Sequence, residues 1–133
     1  MTLSGVVVSG VGGSTKWMPS YLPELFPGTL NIKLDSPIVN IVWEEQYYHK
    51  DFERYFYKRN CKINGISAYL ILPPLCTSKS HLTKMKNPSL IEVGHEKKLR
   101  DLLLLKTGDR VVIEYETKGV YFDPSSHTPD LDR

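Results

Sequence analysis

Pro27-Gly28 stands directly ahead of Thr29-Leu30-Asn31-Ile32-Lys33-Leu34, and this junction constrains the chain more than any other. Proline presets its own φ and glycine takes backbone angles closed to other residues, so the chain must reverse sharply before it extends. In the extended segment that follows, side chains alternate between faces. Thr29 and Asn31 therefore project to one side, while Leu30, Ile32 and Leu34 turn toward a core. A hydroxyl and a carboxamide two residues apart at the mouth of a strand are two neutral oxygen donors on one face. That donor chemistry suits Mg²⁺, which is held by few protein oxygens with waters and phosphates completing its shell.

A second turn lies upstream. The Val-rich run at residues 3–9 reads as a strand and leads into Gly10-Val11-Gly12-Gly13-Ser14-Thr15-Lys16. Three glycines, two hydroxyls and a lysine behind a strand make a backbone that can approach a phosphate and offer it amide hydrogens. The spacing fits neither Gly-x-Gly-x-x-Gly nor Gly-x-x-x-x-Gly-Lys-Ser/Thr, so the loop alone does not distinguish a phosphate cradle from a flexible hairpin.

With 133 residues the chain has the size of one domain, large enough to bury a core without disulfide or metal staples. Its net charge of +2 is close to balanced, which argues against a nucleic-acid partner. Cys61 and Cys76 have no further partners at zinc spacing and no signal peptide precedes them, so the expectation is reduced thiols in the cytoplasm. No apolar run approaches the length of a membrane span. His49, His81, His95 and His127 are scattered, with no pair at helical spacing for a histidine-bound metal.

Short segments rich in Val, Ile, Tyr and Phe, separated by Pro, Gly and Asn, predict a mainly β chain. The expected strands are 3–9, 29–34, 38–43, 52–57, 66–72, 89–93 and 110–116, with Asn64-Gly65 turning one hairpin. Residues 96–105 predict one short helix near the C-terminus, with Leu99, Leu102 and Leu103 on its buried face. Pro73-Pro74 ends a strand and opens a loop, and residues 118–133 read as a disordered tail beyond a domain of residues 1–117. The aromatic and basic run Tyr47 to Arg59 could stack on flat rings, or simply form a strand with one packed and one wet face.

Taken together, Gly5-Val6-Val7-Val8-Ser9-Gly10-Val11-Gly12, Phe26-Pro27-Gly28-Thr29-Leu30-Asn31-Ile32-Lys33-Leu34-Asp35, Leu90-Ile91-Glu92-Val93, Lys98-Leu99-Arg100-Asp101 and Lys106-Thr107-Gly108-Asp109 resemble the archaeal CTP-dependent riboflavin kinases, as a divergent member. The resemblance spans residues 3–116 and implies a six-stranded cradle-loop β-barrel. It further implies transfer of the γ-phosphate of CTP to the riboflavin 5′-hydroxyl, giving FMN and CDP, with small-molecule substrates as partners. Carried over residue by residue, the nucleotide would lie against Gly10, Val11, Gly12, Gly13, Ser14, Thr15 and Lys16, with His95, Glu96, Lys97 and Lys98 closing over its base. Thr29 and Asn31 would bind Mg²⁺, Thr83, Lys84 and Glu92 would contact the flavin, and Glu92 would orient or deprotonate its hydroxyl. Lys84, with Thr83 beside it, stands where the family has a Thr, and His95-Glu96-Lys97 stands where it has Ala-Pro-Met. Gly13-Ser14-Thr15 replaces a Glu-Gly-Arg element, and the connection from Trp17 to Phe26 is short, so the family's connecting helix is expected to be missing. The alternative is a binding module that keeps a nucleotide or flavin site without turnover.

Overall fold

The computed structural model describes residues 1–10, 14–38, 41–74 and 87–116. Seven strands and two helices occur among them: β1 (Thr2–Val8), α1 (Ser14–Tyr21), β2 (Leu30–Leu34), β3 (Glu45–His49), β4 (Arg54–Ile63), β5 (Ile66–Leu72), β6 (Leu90–Gly94), α2 (Leu99–Leu102) and β7 (Arg110–Glu114). The tail at 118–133, Cys76, and the expected flavin contacts Thr83 and Lys84 lie outside the described residues, as do Val11, Gly12 and Gly13.

All strand pairs are antiparallel, in the order β3-β4-β5-β6-β2-β1-β7, and β7 also pairs with β4. That last pairing closes a ring of six strands, so the expected six-stranded barrel is present, and β3 is a seventh strand outside it. β4 is long enough to serve both partners. Its first half, Arg54 to Lys58, carries β3, while Lys62 and Ile63 near its end pair with Glu114 and Ile113 of β7. The β3–β4 hairpin therefore projects from the barrel as an arm.

Alternation fills the interior. Val7, Ile32, Ile63, Leu70, Val93 and Ile113 are fully or almost fully buried and point inward from six different strands. A second, smaller cluster lies outside the ring, where Trp17, Met18, Leu22 and Leu25 of α1 and its extension pack on Phe56 and Ile71. This cluster covers Phe56 and Ile71 on the outward face of β4 and β5, while Tyr57 packs in the main core.

Four expectations need correction. No strand occupies 38–43 among the described residues: Ile38 and Trp43 are core anchors, and the Ile38 amide donates to Pro88 O (2.9 Å) rather than to a ladder. The ladder starts later, with β3. The strand expected at 52–57 begins at Arg54 after a turn through Glu53, whose φ is +52°, and continues to Ile63 because the charges that would end it are satisfied. Lys58 lies over the Tyr69 ring at 4.4 Å and 3.5 Å from Glu45, and Arg59 lies 3.8 Å from Glu44.

The C-terminal helix is four residues long rather than ten. Leu104 adopts φ +54°, and the Leu105 amide donates back to Arg100 O (2.8 Å), a Schellman ending with leucine where glycine is usual. Conversely, the connection from the first loop to Phe26 is not bare. It forms α1, whose Pro19 and weak amphipathic pattern hide it, so Ser14, Thr15 and Lys16 stand on a helical first turn and not on a loop.

Candidate active site

Register alone assembles the centre of the site. Asn31 of β2 is paired with Glu92 of β6 on one side and Val8 of β1 on the other. Residues directly opposite in an antiparallel pair share a face, so Asn31 and Glu92 stand side by side, with Thr29 two residues along on the same face. The Thr29 hydroxyl makes a short hydrogen bond to Glu92 Oε1. Ser14, the first residue of α1, donates from Oγ to the same oxygen at 3.1 Å. Asn31 Nδ2 donates to Thr29 O at 3.5 Å.

Two glycines set this geometry. Gly28 turns the chain with φ +113° and donates its amide to Met18 Sδ at 3.3 Å, tying the turn to α1. Gly10 lies against the Asn31 carboxamide so closely that a Cβ there would fall 2.2 Å from Nδ2. The chain just past β1 thus limits where the amide can lie.

These groups open onto a cavity of about 800 Å³. Of the residues singled out from sequence, Gly10, Ser14, Thr15, Lys16, Thr29, Asn31, Glu92, His95, Lys97 and Lys98 line it. Glu96 does not: it is exposed and leans toward His95 Nδ1 at 3.6 Å. His95 braces the rim, accepting the Phe26 amide on its carbonyl (2.8 Å) and the Lys97 amide on Nδ1 (2.9 Å).

The wall missed from sequence is aromatic. Trp17 and Tyr21 of α1 meet His49 and Phe52 from the arm, and all four line the cavity, as does Asp51. His49 and Phe52 lie in the 47–59 run whose stacking potential was legible, but only the arm's fold onto α1 brings them here. Arg100 also lines the cavity and holds its floor by donating to Val8 O and to Thr107 Oγ1, both at 3.3 Å.

Burial raises the proton affinity of Glu92 above its ordinary 4.5, against the opposing pull of the Thr29 and Ser14 hydrogen bonds. A carboxylate with raised proton affinity, a hydroxyl and a carboxamide form a hard oxygen set, and among the described residues no three His, Cys, Asp or Glu cluster to hold a metal without help. A divalent cation with water and phosphate ligands fits such a set, whereas a thiolate or imidazole metal does not. No helix among the described residues is long and apolar enough to cross a membrane.

No family model matches the chain. It is similar to the riboflavin kinase of Methanosarcina mazei, 31% identical over 140 residues that cover 90% of this chain and 59% of that protein. The riboflavin kinases of Methanosarcina acetivorans, 31% identical and 56% covered, and Methanosarcina barkeri, 30% identical and 58% covered, are alike in this. The chain therefore spans somewhat less than three fifths of the length of the curated relatives it matches.

Proposed function

Taking this chain as a divergent relative of the archaeal riboflavin kinases, we infer that it phosphorylates the 5′-hydroxyl of riboflavin, with CTP as donor, to give FMN and CDP. The observation that carries this reading is the meeting of Thr29, Asn31, Ser14 and Glu92 at one corner of a cavity large enough for two substrates.

Thr29 and Asn31 would hold Mg²⁺ at that corner, beside Glu92. When bound, the ion neutralises charge on the transferring phosphoryl group. The remaining work falls to the chain itself. Lys16, Lys97 and Lys98 border the cavity and offset the charge of the donor's phosphates. Glu92 orients the attacking hydroxyl and, with its raised proton affinity, accepts its proton as the bond to phosphorus forms and CDP leaves. Positioning is the larger contribution, because phosphoryl transfer asks for little covalent chemistry from protein.

Incubating the purified chain with riboflavin, CTP and Mg²⁺ should yield FMN and CDP in equal amounts. Substituting ATP, GTP or UTP tests the choice of donor. Thr29→Ala and Asn31→Ala should each lower turnover by about a hundredfold or more, the usual cost of losing one group that acts on the transferring charge. No product with any nucleoside triphosphate would reject the kinase. Thermal stabilisation by riboflavin or nucleotide without turnover would identify a binding module instead.

A further inference from the structure

His49 is a buried polar residue in the cavity lining that this reaction does not use. It is 3% exposed and is the last residue of β3, at the root of the arm's turn. Phe52 stacks on it at 4.1 Å with an interplanar angle of 11°, Tyr21 stacks at 4.6 Å and 27°, and Trp17 meets it edge-on at 6.3 Å. Its Nδ1 accepts the Phe52 amide at 3.2 Å, so the ring carries its proton on Nε2. With its ring flanked by stacked neighbours and Nδ1 engaged, what His49 gives the cavity is its remaining edge. Among the described residues Nε2 has no hydrogen-bond partner, yet it is not among the atoms sealed from solvent.

An imidazole clamped in one orientation, with one N–H left over in a substrate cavity, is a preorganised donor. Asp51, two residues further along the same turn, supplies an acceptor that lines the same cavity. A donor and an acceptor on the lining of one cavity suit the alternating carbonyl and N3–H edge of an isoalloxazine. Tyr21 and Phe52, the more accessible of the aromatic residues here, give this end of the cavity a flat apolar lining, and the carboxylate of Asp51 disfavours a triphosphate at this end.

We propose that His49 is a specificity-determining residue that donates from Nε2 to a ring carbonyl of the flavin, with Asp51 accepting from the flavin N3–H. The inference rests on the riboflavin kinase reading and adds to it the end of the cavity where the ring lies and the group that reads it.

The test is riboflavin affinity, followed by quenching of flavin fluorescence, alongside the KM for nucleotide in the full chain. His49→Phe keeps a flat apolar ring and removes the donor, and should weaken riboflavin about tenfold or more. His49→Gln returns an N–H near the position of Nε2 and should recover most of that loss. Turnover at saturating riboflavin and the nucleotide KM should stay near those of the unmodified protein, since the ring end does not touch the reacting hydroxyl. Should His49→Phe fail to fold, ¹⁵N-histidine spectra of the unmodified protein decide the matter: riboflavin should slow water exchange of the His49 Nε2–H and shift its resonance. Unchanged riboflavin affinity in His49→Phe, an unmoved resonance, or a rise in the nucleotide KM alone would overturn the inference while leaving the kinase intact. An unmodified protein that neither binds nor phosphorylates riboflavin removes both.

Discussion

At the scale of single residues, Glu92 is subject to opposed effects. Burial favours its neutral form, while two hydroxyl donors favour the carboxylate, and burial is the larger. Because the folded chain binds this proton more tightly than the unfolded chain, the stability it contributes is complete below about pH 4.5 and is lost as pH rises through the folded value. Glu92→Gln removes that dependence. Its midpoint in urea, measured with chelator present, should exceed that of the unmodified protein at pH 8, and the gap should shrink toward pH 4. The same variant should lose phosphoryl transfer by about a hundredfold to ten-thousandfold, in the range of general base removal. An equal gap at both pH values would contradict the burial of an ionising carboxyl. Gly10 tests a neighbouring constraint, since an added Cβ meets only the tip of the Asn31 side chain and can be relieved by moving it. Gly10→Ala should therefore leave the melting temperature within about 3 °C, corresponding to less than about 1 kcal/mol. It should also raise the Mg²⁺ concentration needed for half-maximal activity about tenfold or more, because a displacement of this kind costs most where alignment matters. A large fall in stability with unchanged metal dependence would instead make Gly10 a packing residue.

Among the elements, the sequence is most informative where local chemistry and tertiary demand agree. Ile66–Leu72 was legible to the residue because Asn64-Gly65 fixes the turn and an apolar run follows, and the structure uses Asn64 with φ +47° and Gly65 with φ +83°. The Pro27-Gly28 turn and the shared face of Thr29 and Asn31 were legible for the same reason. α1 was not, because a helix of eight residues with Ser, Thr and Pro has little intrinsic stability and exists through what it covers. Nor was the arm, since no local signal says that His49 and Phe52 will close on Trp17 and Tyr21. Residue types can announce a donor set, but the neighbours that complete it come from the register of distant strands. The dependence of α1 on packing gives a prediction at this scale. Met18 is fully buried in the small outer cluster and also accepts the Gly28 amide. Met18→Ala should cost about 2–5 kcal/mol, the range for deleting a buried side chain of this size. It should also free Ser14 from Glu92 and slow turnover in the protein that remains folded. Hydrogen exchange should show residues 14–21 losing protection well before the barrel strands, and equal loss throughout would mean that α1 unfolds only with the whole.

For the molecule as a whole, the ring has one thin place. β4 and β7 share only the pairs Lys62 with Glu114 and Ile63 with Ile113, whereas β4 and β5 share seven. Arg59 lies beside that seam, 2% exposed, and donates to Val42 O at 2.7 Å, Asn60 O at 3.2 Å and Glu116 O at 2.5 Å. Its guanidinium also lies 4.8 Å from the centre of the Tyr115 ring. One planar cation thus joins the segment before β3, the middle of β4 and the chain just past β7, which does with side-chain hydrogen bonds what a longer ladder would do with backbone ones. Three carbonyls lose a charged donor if it goes, and a hydrogen bond to a charged group contributes about 1.5–3 kcal/mol. Arg59→Met, which keeps much of the apolar stem, should therefore destabilise the fold by about 3 kcal/mol or more in urea. Arg59→Lys should recover little, because an ammonium cannot present a planar fork to three diverging acceptors. The loss should fall mainly on the unfolding rate if the seam forms after the transition state, since interactions absent there slow unfolding without speeding folding. A cost below about 1 kcal/mol for Arg59→Met would show that the two ladder pairs and the core close the barrel unaided.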